Sequence, residues 1–318
     1  MGKKFLTIKI FFAALVLAVV AAQTPLISGA AYQADLDSPT SVLFDGSNVW
    51  VANAGSDSVI KVHGGNGSVL GAFAVGDAPR ALAFDGTRIW VANSASDSVT
   101  KLQASSGATL GTHAVGHAPK GLTYDGANIW VANNGSNTVS KLRASDGATL
   151  GTYNVGTGPI ALTYDGTNIW VANNDSNNVT KLNAANGATV GTYATGKSPA
   201  GLAYDGSSIW VTNSQSDNVT KLSAASGANL GTFAVGDNPL GVVTGDGAVW
   251  VANQFSHSVT KLNASSGAVI GTYSVGDAPS NAMIAGGSVW VANFGSRNVT
   301  RLRASDGANL GTFGTTTP

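Results

Sequence analysis

Histidine and aspartate are the side chains of this sequence that could act as general acids, general bases or metal ligands. The sequence has four histidines and 17 acidic residues, and every acidic residue is an aspartate. Cysteine and glutamate do not occur, which excludes thiolate metal sites, disulfides, cysteine nucleophiles and a glutamate general acid.

The spacing of these residues predicts no shared catalytic or metal site. His117 and His257 belong to the third and sixth of seven sequence repeats, so we do not expect them to meet. Calcium needs several hard oxygens on one ion, whereas the loops supply one carboxylate each, at Asp57, Asp97 and Asp217. We predict no catalytic residue, no metal and no cofactor, and the sequence favours a protein that is not an enzyme.

A 40-residue repeat organises the chain. The phrase Trp-Val-(Ala or Thr)-Asn occurs seven times without insertion or deletion, beginning at Trp50, Trp90, Trp130, Trp170, Trp210, Trp250 and Trp290. Such regular spacing predicts one supersecondary element repeated seven times. The repeats begin at Asp37, Asp77, His117, Thr157, Lys197, Asp237 and Asp277, and they cover residues 37–316.

Each repeat has the pattern of four short strands. In the second repeat, residues 81–84, 89–93, 99–102 and 109–115 are rich in strand formers and are separated by turn residues, among them Asp85-Gly86 and Gly107. A helical repeat would instead show Ala, Leu, Glu and Lys at a spacing of about 3.6 residues. The sequence predicts an all-β fold, a seven-bladed β-propeller of four-stranded blades, with a β-solenoid as the alternative.

Three sets of repeated side chains are expected to be structural. We predict that the tryptophans are buried between blades. The asparagine that ends each Trp-Val-(Ala or Thr)-Asn phrase, and the serine three residues later, are interpreted as loop residues that satisfy neighbouring backbone groups. The basic residue represented by Lys61 is expected to lay its stem on the strands and keep its ammonium group solvated.

The repeat resembles that of the YVTN-family β-propellers. Trp210-Val211-Thr212-Asn213 carries the likeness, with Pro199 and Asp205-Gly206 before it and Val219-Thr220-Lys221-Leu222 after it. The signature Tyr is Trp in every repeat here, and the signature Thr is Ala in six of the seven. The resemblance implies a secreted or cell-surface seven-bladed propeller without a fixed activity. Similar propellers include streptogramin lyases, whose His, Glu and divalent-metal chemistry has no Glu to use here.

The start of the chain has the pattern of a secretory signal peptide. Lys3, Lys4 and Lys9 precede a 13-residue apolar run over residues 10–22, which is shorter than a membrane span. We predict a signal peptide at 1–22, an N-terminal segment with a possible accessory strand at 23–36, and the propeller at 37–316. Export to the periplasm, the cell exterior or the cell surface is expected, with no stable membrane span after cleavage.

The net charge argues against a nucleic-acid partner. Cleavage of the signal would reduce the 17 Lys and Arg residues to 14, against 17 aspartates, so the remaining charge is near −3. A monomer is expected.

Differences between the repeats are concentrated on one predicted face. The residues that follow the first proline of a repeat include two cations and an apolar group, and cations or aromatic residues replace small residues in the loops of repeats six and seven. The candidate binding residues are Arg80, His117, Lys120, Ile160, Lys197, Leu240, Phe255, His257, Phe294 and Arg297. Exposed aromatics beside Arg are typical of binding sites, although scattered surface residues would give a similar pattern.

These observations predict an exported, non-enzymatic scaffold that binds a protein, peptide or glycan through its variable loop rim. Two alternatives stay open at this point. One is a lyase or hydrolase that uses Asp and His at the channel mouth, and the other is a structural component of the cell surface or envelope.

Overall fold

The computed structural model describes residues 39–63, 69–296 and 298–314. The predicted signal peptide, the segment 23–36 and the candidate residue Arg297 lie outside the described residues. The chain divides into two compact parts, Met1–Asn154 and Val155–Pro318, which are described separately below.

The N-terminal part contains twelve described strands in three sheets. Blade one has β1 (Pro39–Phe44), β2 (Asn48–Asn53), β3 (Ser58–His63) and β4 (Val69–Ala74). Blade two has β5 (Pro79–Phe84), β6 (Arg88–Asn93), β7 (Ser98–Gln103) and β8 (Thr109–Ala114). Blade three has β9 (Pro119–Tyr124), β10 (Asn128–Asn133), β11 (Thr138–Arg143) and β12 (Thr149–Asn154).

The C-terminal part contains sixteen described strands in four sheets. Blade four has β13 (Pro159–Tyr164), β14 (Asn168–Asn173), β15 (Asn178–Asn183) and β16 (Thr189–Ala194). Blade five has β17 (Pro199–Tyr204), β18 (Ser208–Asn213), β19 (Asn218–Ser223) and β20 (Asn229–Ala234). Blade six has β21 (Pro239–Gly245), β22 (Ala248–Asn253), β23 (Ser258–Asn263) and β24 (Val269–Ser274). Blade seven has β25 (Pro279–Ala285), β26 (Ser288–Asn293), β27 (Asn298–Arg303) and β28 (Asn309–Gly314).

The strands of every sheet follow chain order, and each pairs antiparallel with the next. Pairing is therefore confined within a repeat, unlike the pairing between successive repeats of a β-solenoid. Seven four-stranded antiparallel blades confirm the predicted fold class, a seven-bladed β-propeller. The described part of the chain contains no helix. It therefore has no helix that is long and apolar enough to cross a membrane.

The second strand of each blade is buried on both faces, as its apolar sequence predicts. The seven tryptophans are between 0% and 4% exposed. In the C-terminal part, Trp170 packs against Ile209, Val211 and Leu222 of the following blade. The fourth-strand residue Tyr193 of its own blade also packs against the indole, with ring centroids 5.6 Å apart and the planes tilted by 33°. The tryptophan thus joins its own outer strand to the next blade.

In the first five blades, the aspartate of the Asp-Gly turn fixes the tryptophan. The Trp130 indole N–H donates to Asp125 Oδ2 at 2.7 Å, while Asp125 Oδ1 accepts from the Ala127 and Asn128 amides. Burial by itself would raise the pKa of Asp125, but these hydrogen bonds outweigh it and lower the pKa below its usual value. These bonds therefore favour the charged carboxylate at the N–H edge of the indole.

The prediction that the repeated lysines keep their ammonium groups in water is wrong. Lys61 and the five lysines equivalent to it are only 3–7% exposed. Lys181 Nζ lies 4.9 Å from the centre of the Trp170 ring and donates to the Ala224 and Ala225 carbonyls of the next blade at 2.6 and 3.0 Å. Trp170 and Lys181 are opposite each other in the pairing of β14 with β15. This register places the ammonium over the ring and within reach of the carbonyls of the next blade.

The repeated asparagine is structural, as predicted, but its partners differ from those expected. Asn93 is fully buried at the end of β6, not in a loop. Its Nδ2 donates to the hydroxyls of Ser98 and Thr100 on β7 at 3.0 and 2.9 Å. The side chain therefore binds side-chain oxygens of the neighbouring strand, and it is not available for a ligand.

We predict that Trp170→Ala lowers the free energy of unfolding by about 3–5 kcal/mol, because it opens a cavity between blades four and five. Urea denaturation followed by circular dichroism measures the change. Val190→Ala is the matched control, since this side chain is 52% exposed on the same blade and should change stability little. Equal effects of the two substitutions would contradict the burial of the indole.

Asp125→Asn is predicted to lower the free energy of unfolding by about 1–3 kcal/mol at pH 7, because it weakens the bonds to Trp130 and the turn. The depressed pKa stabilises the native fold above the unfolded-state pKa of about 4, and this contribution disappears as the pH falls through the folded-state pKa. The difference in free energy of unfolding between the native chain and Asp125→Asn should therefore become smaller in acid. Denaturation from pH 7 to pH 2 measures it, with the exposed Asp246→Asn as control. If the difference in free energy of unfolding does not change with pH, the charged Asp125 carboxylate is not what stabilises the fold.

Candidate functional site

The loop between the second and third strands of a blade meets the first residues of the following blade. In the N-terminal part, the Ala78 amide donates to Asp57 Oδ1 of the preceding blade at 2.8 Å. The Asp77 amide donates to Ser96 Oγ of its own blade at 2.9 Å. The start of blade two is thus bonded to the loop of blade one and to the loop of blade two. Ser96, a member of the repeated serine set, is structural, as its occurrence in all seven repeats predicts.

His117 belongs to one of these junctions. Its Nδ1 donates to Asp97 Oδ2 at 2.6 Å, and Asp97 Oδ1 accepts from the Ala118 amide at 2.8 Å. The bond from the Ala118 amide, followed by that from His117, lowers the pKa of Asp97. The His117 ring is 77% exposed. The pair links blades two and three and presents an imidazole to solvent.

His257 performs the junction role in blade six with different chemistry. It occupies the loop position of Asp57 and Asp97, and its Nδ1 accepts a hydrogen bond from the Ala278 amide at 2.9 Å. The proton of the neutral ring is therefore on Nε2. Asp277 Oδ1 lies 3.7 Å from the same Nδ1, which is beyond hydrogen-bond distance.

Neither histidine is part of a metal centre in the described residues. No group of three or more His or Asp side chains in those ranges is placed to hold an ion. His117 and His257 each bind a neighbouring loop within their own part of the chain. Their described contacts are those of blade junctions.

Two exposed phenylalanines distinguish the loops of blades six and seven. Phe255 is 66% exposed and Phe294 is 43% exposed. The Phe255 amide donates to the Asp237 carbonyl at 3.1 Å, so the backbone beneath the ring is fixed. We call Phe255, His257, Asp277 and Phe294 the aromatic patch.

Ala278 joins the members of the aromatic patch. Its amide donates to His257, and its carbonyl accepts from the Phe294 amide at 2.9 Å. The adjacent Asp277 carbonyl accepts from Gly295 at 2.7 Å. Phe255 lies two residues before His257 in the same loop. The structure therefore joins two of the predicted site residues, His257 and Phe294, through Ala278, and a third, Phe255, belongs to the loop of His257.

The other candidate residues are separate from this patch along the chain. Arg80 and Lys120 are exposed on the first strands of blades two and three, and Lys197 is exposed at the start of blade five. Ile160 and Leu240 are half-buried on first strands of the C-terminal part, so they offer less apolar surface than the sequence suggests.

A shallow groove of about 400 Å³ borders the aromatic patch. It is lined in part by Ser256, Ser258, Thr260 and Thr272 of blade six. Equivalent hydroxyls recur in blade two, for example at Ser96 and Ser98, so the groove reflects the repeat. The phenylalanines, not the groove, make this junction different from the others.

Sequence reasoning missed Asp277 as a member of the patch. Aspartate begins four of the seven repeats, which makes the position look like part of the scaffold. The sequence does contain a signal for Asp277, because it lies 20 residues after His257. The same spacing separates Asp97 from His117, and these two side chains are bonded to each other.

No family model matches the chain, and no curated protein matches it in sequence. The YVTN resemblance therefore stays a prediction that rests on the 40-residue pattern. Similarity to known proteins is found at the level of structure.

Three solved structures illustrate the similarity. Hydrazine synthase from Kuenenia stuttgartiensis is 22% identical over 89% of this chain and 100% of its own, with a TM-score of 0.72. A streptogramin B lyase is 17% identical over 80% of this chain and 90% of its own, with a TM-score of 0.67. BamB from Moraxella catarrhalis is 16% identical over 89% of this chain and 87% of its own, with a TM-score of 0.67. At these identities the likeness shows the propeller fold alone.

Proposed function

We propose that this chain is an exported, non-enzymatic scaffold that binds a protein or peptide partner through the aromatic patch. One observation carries the proposal: two exposed phenylalanines stand on neighbouring loops of blades six and seven, and the backbone of each is fixed by a hydrogen bond, from Phe255 to Asp237 and from Phe294 to Ala278. Buried aromatic anchors supply much of the energy of protein interfaces. Rings on fixed backbone also lose little conformational freedom when a partner covers them.

The loops of the other blades support this assignment by contrast. The two positions occupied by Phe255 and Phe294 carry only small or polar residues elsewhere, among them Ala54, Ser94 and Asn134. His257 and Asp277, whose side chains lie 3.7 Å apart, add polar groups to the same loops, and protein interfaces commonly combine an apolar centre with a polar rim. Export rests on the signal-peptide pattern of residues 1–22.

We predict that Phe255→Ala combined with Phe294→Ala reduces capture of the partner at least about tenfold, because it removes both anchors. The mature chain is immobilised and exposed to the native extracellular and envelope fractions, and captured proteins are quantified by mass spectrometry. Protease treatment of the fraction should abolish capture, whereas removal of glycans should leave it intact.

The matched control is Leu110→Ala combined with Leu230→Ala. These leucines are 49% and 52% exposed on fourth strands, so the control removes apolar surface of similar exposure from another place. The control should capture the same proteins as the native chain. If the double Phe variant also does so, the aromatic patch is not the binding surface.

A further inference from the structure

Two exposed cations on neighbouring blades have no partner within the described residues. The buried lysines are bonded to carbonyls or stacked on tryptophan, while Arg88, Arg143 and Arg303 pair with aspartates. Arg80 and Lys120 make no ion pair or side-chain hydrogen bond to any described group, and both side chains are exposed. They occupy the same position, directly after the first proline of blades two and three.

Arg80 and Lys120 lie at a register shift that every blade has between its first two strands. In blade two the register between β5 and β6 shifts between Pro79 and Ala81, which leaves Arg80 as the extra residue of a bulge. The same shift surrounds Lys120 in blade three. A bulge changes the direction in which its side chain projects, and bulges often occur beside functional sites.

The first strands of neighbouring blades are close at this position. Thr40, the equivalent residue of blade one, donates from Oγ1 to the Pro79 carbonyl of blade two at 2.6 Å. In the C-terminal part, a Cβ atom placed on Gly241 would lie 2.8 Å from Asn281 Cα of the next first strand. The repeat therefore places Arg80 and Lys120 on adjoining strands, β5 and β9.

Nearby carboxylates do not neutralise this pair. Asp97 is occupied by His117 and the Ala118 amide, and Asp77 on the preceding loop forms no ion pair with Arg80. Because their strands adjoin, the two like charges repel each other wherever their side chains approach. An anion between them would remove that repulsion and satisfy their donors.

We propose that Arg80 and Lys120 form a binding site for a phosphate or sulfate group. The planar guanidinium of Arg80 can donate to two oxygens of such a group, and the ammonium of Lys120 can donate to a third. The site is separate in sequence from the aromatic patch and does not depend on the function proposed above. The group is either the free ion or part of a small monoester.

Isothermal titration calorimetry tests the site with inorganic phosphate, inorganic sulfate and glycerol 3-phosphate. Tighter binding of the inorganic ions indicates the free ion, and tighter binding of the ester indicates a monoester. Arg80→Ala and Lys120→Ala should each weaken binding about tenfold or more, because each removes charge-assisted hydrogen bonds. Added sodium chloride should also weaken it.

Lys197→Ala is the matched control, because Lys197 is another exposed cation without a described side-chain partner. It should bind the same anions with native affinity. Both site residues are exposed, and unchanged melting temperatures would show that the variants fold. The proposal is overturned if none of the three anions binds, or if Arg80→Ala and Lys120→Ala bind as the native chain does.

Discussion

In the described contacts, a buried lysine ammonium connects five blades, the first, second, fourth, fifth and sixth, to the blade that follows each of them. The packing of these blades depends on this connection. The ammonium has no carboxylate partner. It lies about 5 Å from the centre of a tryptophan ring and donates to backbone carbonyls of the following blade, as Lys61 does to Ala104 and Ser105. Burying a charge is costly unless its hydrogen bonds are satisfied, so the cation holds these carbonyls and the ring in one arrangement.

This repeated contact explains why variation is restricted to a few loop and strand-start positions. The tryptophan, the lysine and the turn aspartate of a blade depend on one another, so a change at any of them disturbs the next blade as well. Phe255 and Phe294 are exposed loop residues, and their amides bond to the backbone at the start of their own blades. Arg80 and Lys120 use the first-strand bulge in the same way. The frame can therefore present different chemistry without a change of fold.

The fold was predictable from the sequence because strand pairing is local to each 40-residue repeat. Turn residues such as Asp85-Gly86 mark where strands end, and the apolar run around Trp90 indicates a strand covered on both faces. The lysine was mispredicted because its acceptors come from the next repeat, 43 and 44 residues later. The juxtaposition of His257, Asp277 and Phe294 escaped prediction for the same reason, since it depends on how one blade meets another.

The stability of Lys181→Met measures what the buried ammonium contributes, because methionine keeps most of the apolar stem and removes the ammonium. We predict that the free energy of unfolding falls by about 2 kcal/mol or more, since the Ala224 and Ala225 carbonyls lose their buried donor. Lys197→Met changes an exposed lysine and should leave the free energy of unfolding nearly unchanged. A Lys181→Met variant as stable as the native chain in urea denaturation would contradict the account.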